Sequence, residues 1–201
     1  VVTLIEECRS MKLRLDAPDV NISEFKFTVN NEGWIVYGLG AIKGVGEGPV
    51  EAIVEAREAG PFKDLFDFCA RVDLKRINKR TLEALIRSGA LDRLGPHFHE
   101  ELKAYNANID RNRAVLLAAM EEAVQAAEQT ARSAESGHMD LFGGVFADAE
   151  ADVYLNHLRA RELTLKERLK GEKDTLGLYL TGHPIDEYEG EVRRFARQRI
   201  V

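Results

Sequence analysis

Glycines set around a single valine form the stretch of this sequence best suited to binding an anion. Gly44 and Gly46 flank Val45, Lys43 precedes them and Gly48 follows shortly after. Glycine permits a tight turn and the close approach of a phosphate, and backbone N–H groups at a helix N-terminus attract negative charge. The pattern therefore predicts a phosphate-binding turn at Gly44, Val45 and Gly46.

Apolar residues on both sides of this turn predict two short helices that pack together behind it. They are Leu39, Ile42, Val45, Val50 and Ile53. This spacing is typical of a helix-hairpin-helix, which holds the sugar-phosphate backbone of DNA without reading bases. An ordinary glycine turn between helices is the alternative, but apolar spacing on both sides favours DNA contact.

A second stretch, residues 74–85, repeats the pattern with fewer glycines. Its residues 76–78 align with residues 44–46, so that Asn78 and Arg76 stand in place of glycines. Asn tolerates a left-handed turn better than other non-glycine residues, which predicts that this turn is preserved. Cations near it, including Arg71, are expected to compensate for the lost glycine, although a solvated basic helix end is the alternative. The expected DNA contacts are Lys75, Arg76, Asn78, Lys79 and Arg80.

Composition limits the classes of partner. The chain has 201 residues, 31% of them charged, and a net charge of −6, so any nucleic-acid contact must come from local basic clusters. Cys8 and Cys69 match no metal-site spacing, which indicates buried thiols in a reducing, cytoplasmic setting. The sequence contains no signal peptide and no membrane-length apolar run, so no membrane partner is expected. Neither the His97–His99 pair nor the acidic residues at 148, 150 and 152 predict a metal site.

Periodicity predicts a mainly α fold with one small N-terminal β-hairpin. Phe25, Phe27 and Val29 alternate with polar residues, as do Trp34 and Val36 beyond the turn. A helix is expected over residues 2–12, a long one over about 100–133, an amphipathic one marked by leucines from 155 to 169, and a last one over about 185–197. Residues 133–151 are expected to form a surface loop or linker. The predicted divisions are 1–36, 37–132, 133–152 and 153–201.

An apolar island interrupts the polar linker at His138, Met139, Asp140, Leu141 and Phe142. Exposed Leu and Phe side chains are unfavourable unless something covers them. Two such anchors on a loop suit a small hydrophobic pocket on a partner. The alternative is that the loop folds back and covers its own core.

Several stretches together resemble the polymerising alpha subunit of bacterial replicative DNA polymerase III. They are Pro18–Asn21, Ile35–Glu51, Leu65–Arg71, Leu85–Gly95 and Thr175–Pro184. The resemblance covers nearly the whole chain. It implies a fragment that contains the end of the fingers, a tandem helix-hairpin-helix region, a clamp-binding loop and the lead-in to an oligonucleotide-binding domain. A stand-alone helix-hairpin-helix repair or recombination protein is the alternative.

The resemblance also implies partners and chemistry. Residues 44–46, with Gly48 and Lys43, would contact duplex or primed DNA, and Glu47 and Glu51 are expected to turn away from it. Residues 138–142 would bind the sliding clamp (the beta subunit), with His138 where the family usually has Gln. Other polymerase III subunits would join through the full-length chain. Nucleotidyl transfer in this family uses Mg2+ held by palm aspartates upstream of this region, so no catalytic residue or cofactor is expected here and the isolated chain is expected to be inactive.

Overall fold

Helices dominate the computed structural model, which describes residues 2–96, 105–135, 153–188 and 190–191. The mainly α fold predicted from the sequence is therefore confirmed. The helices are α1 (Val2–Ser10), α2 (Glu47–Arg57), α3 (Leu65–Arg71), α4 (Lys79–Ser88), α5 (Tyr105–Glu135) and α6 (Leu165–Leu176). Single 3-10 turns lie at Leu39–Ala41, Asp92–Leu94 and Asp186–Tyr188.

A three-stranded sheet lies beside the first of these turns. Its strands are β1 (Leu15–Asp16), β2 (Thr28–Val29) and β3 (Ile35–Val36), in the order β1-β3-β2. The predicted hairpin is confirmed, because β2 pairs antiparallel with β3. Strand β1, which pairs parallel to β3, was not predicted. Two residues are too few to show alternation, and a parallel partner about 20 positions away leaves no local signal.

Apolar faces of α3, α4 and α5 build the core around which the two hairpins are arranged. Phe68, Leu85 and Leu116 are fully buried, and Met120 is nearly so. The inward face of the long helix therefore includes residues 116 and 120. One continuous core cluster extends from Ile5 to Leu178. Burial, with a smaller contribution from Asp64, raises the pKa of the Cys69 thiol in this core to about 12.

A buried ionic network fixes α6 against α5. The Arg113 guanidinium donates two hydrogen bonds of 2.8 Å to the Asp92 carboxylate and one of 3.0 Å to Glu172. Burial by itself lowers the pKa of Arg113, but the charges and hydrogen bonds of the two carboxylates raise it above its ordinary value. Glu172 also accepts the backbone N–H groups of Leu180 and Thr181. The network therefore holds both α6 and the segment that follows it.

Helix α6 differs from the sequence expectation at both ends. It begins at Leu165 because Thr164 and Glu167 form a capping box, whereas residues 155–160 are turns. Hydrogen bonds from Arg161 and then Thr164 lower the pKa of Glu167 to about 2. The helix continues through Gly171, where a Cβ would lie 3.4 Å from Arg87, and ends at left-handed Gly177. Of the last predicted helix, the structure describes the 3-10 turn 186–188 and the helical residues 190–191, and the other residues from 189 to 197 lie outside the described ranges.

Candidate nucleic-acid interface

The first hairpin comprises residues 42–48, between a single 3-10 turn and α2. The expected helix before it is only the turn Leu39–Ala41, which closes with the Ile42 N–H bonded to the Leu39 carbonyl. Val45 is 3% exposed and inserts into the core, as predicted. Gly44 has a φ of +88°, which favours glycine, and a Cβ placed there or on Gly46 would meet no atom within 4 Å. The corner is therefore open to a ligand.

Four backbone N–H groups at this corner have no acceptor among the described residues. They belong to Gly44, Gly46, Glu47 and Gly48. The prediction that the Val45 N–H also contacts phosphate is wrong, because it closes the turn by donating to the Ile42 carbonyl at 3.0 Å. The first turn of a helix leaves its N–H groups unbonded, and Gly46, the N-cap of α2, has no side chain to accept from them. Such a group of amides at the positive end of a helix can donate to a phosphate.

Two other segments hold the first hairpin in place without covering these amides. The Lys43 N–H donates to the Thr175 carbonyl at the end of α6, with a distance of 2.8 Å. The Thr81 hydroxyl, in the first turn of α4, donates to the Gly44 carbonyl at 3.1 Å. The turn is thus fixed from both sides, and the second bond joins the two hairpins directly.

The second hairpin, residues 73–81, is held by hydrogen bonds among its own backbone and side-chain groups. The Asp73 carbonyl accepts the N–H groups of Arg76 and Ile77, and its carboxylate accepts the Lys75 N–H. Asn78 is the N-cap of α4, and its side chain accepts the Thr81 N–H at 2.9 Å. Its φ of −78° and ψ of 167° are extended. The expectation of a left-handed Asn78 was therefore wrong, because an N-cap needs extended backbone and a side-chain acceptor, which Asn supplies.

The alignment of the two copies nevertheless holds at this position. Gly46, the counterpart of Asn78, is also an extended N-cap, with a φ of −84°. The left-handed residue of the first hairpin is Gly44, whereas Arg76, its counterpart, does not have a positive φ. The two turns therefore differ in backbone conformation at the residue before Val45 and Ile77, which is left-handed only in the first hairpin.

The basic residues expected to contact DNA fall into different environments. Lys43, Lys75 and Arg80 are exposed and form no ion pair with a described residue. Lys79 lies 3.3 Å from Glu121, but both side chains are more than 60% exposed, so the pair is weak. Arg71 is occupied inside the fold, where it donates to the carbonyls of Ala56 and Gly60. Arg71 is therefore part of the scaffold and not a free cation.

Arg76 reaches across from the second hairpin to α2. Its guanidinium donates to Glu51 at 2.5 Å and to Glu55 at 2.9 Å. Its Nε lies 4.0 Å from where a Cβ on Gly48 would be. Glu51 thus points toward Arg76, whereas Glu47 is exposed without an ion pair to any described residue. Sequence reasoning missed these pairs because residues 51 and 76 are far apart along the chain.

Other expected features lie outside the described residues or leave no site there. The described residues do not include residues 138–142, which are predicted to bind the clamp, the two histidines at 97 and 99, or the acidic residues at 148, 150 and 152. Within the described ranges, no group of three or more His, Cys, Asp or Glu side chains is placed to hold a metal ion. No described helix combines the length and apolarity needed to cross a membrane.

Comparison with known proteins gives a family for this geometry. Residues 12–100 match the model of a helix-hairpin-helix motif. Over its full length the chain is 84% identical to DNA polymerase III subunit alpha of Pseudomonas fluorescens and spans 17% of that protein. The protein of the same name from Pseudomonas aeruginosa is also 84% identical over the whole chain, with 17% spanned. That from Escherichia coli is 46% identical over 97% of the chain, with 16% spanned.

These relatives remove the reason to consider a stand-alone repair or recombination protein, and the motif match covers both hairpins. The chain spans about one sixth of the length of the relatives it matches. It belongs to the family of DNA polymerase III alpha subunits.

Proposed function

We propose that this chain is the part of a replicative DNA polymerase III alpha subunit that holds duplex or primed DNA and tethers the polymerase to the sliding clamp. The observation that carries the DNA proposal is the open corner at Gly44 and Gly46, where unbonded amides meet the N-terminus of α2. The names of the relatives support the polymerase context.

Contacts made by backbone amides suit a polymerase. They bind phosphate oxygens that are the same at every base pair, so they tolerate every sequence and permit sliding. Lys43, Lys75, Asn78, Lys79 and Arg80 are proposed to add side-chain contacts around the unbonded amides of Gly44, Gly46, Glu47 and Gly48. Binding is then largely electrostatic and falls with salt, with a slope of about −0.9 per neutralised phosphate.

The clamp tether is proposed for His138–Phe142, by resemblance to the family's clamp-binding motif. The chain returns to the core at Tyr154, whose hydroxyl donates to the Leu94 carbonyl at 2.6 Å and accepts the Leu65 N–H at 2.8 Å. Residues 136–152 thus join two segments of one body. A chain of this length can extend to at most about 60 Å, so a residue midway along it can lie at most about 30 Å from the two ends. Short tethers of this kind give effective concentrations of about 1 mM.

The chemical step is proposed to lie elsewhere in the polymerase. By resemblance to the family, the aspartates that would hold the Mg2+ ions for nucleotidyl transfer lie upstream of this chain, so its residues are assigned no step of that reaction. The contribution of this chain is to keep the primer end close to that site. The isolated chain is accordingly proposed to be inactive, and other holoenzyme subunits are proposed to bind the full-length protein.

The DNA proposal is tested by Gly46→Val in a full-length alpha subunit. The extended backbone of Gly46 accepts a side chain and nothing lies within 4 Å, so the fold is retained while the isopropyl group shields the amides. Loss of about one charge-assisted hydrogen bond weakens duplex affinity at least tenfold, roughly 1.5 kcal/mol. Fluorescence anisotropy with a primed duplex measures it, and Ala59→Val at the other end of α2 is the control. Wild-type affinity in a folded Gly46→Val protein contradicts the proposal.

The tether is tested by Leu141→Ala combined with Phe142→Ala. Each apolar anchor contributes about 2 kcal/mol when buried in a partner's pocket, so the double variant is expected to lose clamp capture in a pulldown. Its duplex affinity should remain unchanged. Leu155→Ala, at a side chain 61% exposed just beyond the loop, is the control. Retained clamp binding by the double variant would place the anchors elsewhere.

A further inference from the structure

The helix that starts at the open corner carries an acidic face. Glu47, Glu51 and Glu55 recur every four residues along α2 and line one groove with Phe25 and Val54. The first two lie within about 6 Å of each other along the helix axis, and the third is about 6 Å further. Glu47 and Glu51 are therefore within one Debye length, about 8 Å at physiological salt, of the unbonded amides, and Glu55 lies about 12 Å along the axis from the helix start. Left uncompensated, this face would repel the phosphate that the amides attract.

Arg76 is the described cation that compensates this face. Its two terminal nitrogens are each engaged by a different carboxylate, Glu51 at 2.5 Å and Glu55 at 2.9 Å. The Arg76 side chain is 29% exposed, while those of Glu51 and Glu55 are 56% and 67% exposed. The guanidinium thus lies inward of the two carboxylates, against Gly48 in the first turn of α2. These pairs use two of the five guanidinium N–H donors and direct the positive charge toward the protein's own carboxylates.

We propose that Arg76 acts as an electrostatic shield for the phosphate-binding corner, by pairing with Glu51 and Glu55 and offsetting one of their two negative charges, and is not itself a phosphate ligand. This inference rests on the proposed DNA-holding function and gives Arg76 a positioning and screening role within it. Sequence alone favours a direct contact, because Arg76 occupies the hairpin position equivalent to Gly44. The geometry instead directs its charge toward the protein's own carboxylates.

A double-mutant cycle in a full-length alpha subunit separates the two roles. Its members are Arg76→Ala, the pair Glu51→Gln with Glu55→Gln, and all three changes together, and the readout is primed-duplex affinity by anisotropy at low salt. A shield predicts that Arg76→Ala weakens binding about fivefold, because two carboxylates are unmasked near the phosphate. Removing the carboxylates should then restore affinity to within about twofold, while having a smaller effect when Arg76 is present.

A direct contact predicts the opposite sign of coupling. Removing the carboxylates would free the guanidinium, so affinity would rise more with Arg76 present than with alanine in its place. That result, or equal effects in both backgrounds, overturns the inference. Arg132→Ala controls for the loss of one positive charge, because Arg132 pairs with Glu128 near the far end of α5. A fivefold loss in that control also overturns the inference, since the effect of Arg76 would then be one of net charge.

Failure of the inference is distinguishable from failure of the proposed function. If Gly46→Val binds duplex as tightly as wild type, the DNA-holding function itself fails. If Gly46→Val loses affinity and the Arg76 cycle shows no coupling or the opposite sign, only the shield is overturned. Circular dichroism of each variant establishes that affinity is compared between folded proteins.

Discussion

The two hairpins reach similar turns by opposite means. The first is defined by missing side chains, since Gly44 takes a left-handed φ and Gly46 caps α2 with no side-chain hydrogen bond. The second is defined by polar side chains, since Asp73 organises the turn and Asn78 caps α4. The first hairpin leaves backbone N–H groups without an acceptor among the described residues, whereas several N–H groups of the second donate to Asp73 and Asn78 of the same hairpin.

The difference also determines what each hairpin depends on. The first takes two of its fixing hydrogen bonds from distant segments, at Thr175 and Thr81. The hydrogen bonds that form the turn of the second lie within residues 73–81, whereas its links to the first hairpin and α2 are made by the side chains of Thr81 and Arg76. The first hairpin, whose N–H groups stay available for a ligand, therefore depends on hydrogen bonds from distant segments. The turn of the second hairpin, whose N–H groups are accepted by Asp73 and Asn78, depends on them less.

The largest expected effect comes from disturbing that outside support. Glu172→Gln leaves the buried Arg113 with one carboxylate fewer, which we expect to destabilise α6 by about 3 kcal/mol. Because α6 holds Lys43, the Lys43 amide should lose protection from hydrogen exchange while the self-capped Thr81 amide keeps most of it. Asp174→Asn, at an exposed position of α6, is the control. Equal loss of protection in both hairpins would contradict the asymmetry.

Gly44 and Gly46 should differ in their tolerance of alanine. Gly44→Ala forces a Cβ into the left-handed region and should cost about 1–2 kcal/mol of local stability. Gly46→Ala, at an extended N-cap, should cost only about 0.5 kcal/mol. Hydrogen exchange of the α2 amides measures both. Equal costs would mean that the conformation of Gly44 does not shape this turn.

The cap of the second hairpin should have a smaller effect. Asn78→Ala removes the acceptor of the Thr81 N–H and should destabilise the start of α4 by about 1 kcal/mol, whereas Asn78→Gly should cost only a few tenths. The glycine variant makes this N-cap chemically like that of the first hairpin. Limited proteolysis at the α3–α4 turn measures this difference, and the alanine variant should be cleaved faster than the glycine variant. Faster cleavage of the glycine variant would contradict the prediction.

The smallest effect on stability belongs to the exposed cations. Lys75→Ala and Arg80→Ala should each change stability by less than about 0.5 kcal/mol. Each should reduce the magnitude of the salt slope of duplex binding by about 0.9 if it contacts one phosphate. Lys63→Ala, another exposed lysine, is the control. A slope unchanged in both variants would limit DNA contact to the first hairpin.

Local patterns in the sequence predicted the elements but not their partners. Apolar periodicity located the helices, and the glycines at 44 and 46 located the open turn, because both signals are contained in a few neighbouring residues. The left-handed role was assigned to Asn78 because the alignment gave residue types without dihedral angles. An Asn directly before a helical apolar pattern is itself typical of an N-cap, which is the structure that Asn78 adopts.

Contacts between distant segments account for the rest. The pairing of Arg76 with α2, the parallel strand β1 and the bond from Lys43 to α6 all join segments that no period relates. The continuation of α6 through Gly171 has the same origin. There the absence of a side chain permits close packing against Arg87, and tertiary contact outweighs the low helix propensity of glycine.

The bond between Lys43 and Thr175 joins main-chain atoms only. Substitution of Lys43 by any residue except proline keeps the backbone N–H that donates this hydrogen bond. This attachment can consequently persist through evolutionary drift at residue 43 without leaving any trace of covariation between the two positions. Methods that infer proximity from correlated substitutions would overlook this bond, although it fixes the position of the Gly44–Gly46 turn relative to α6.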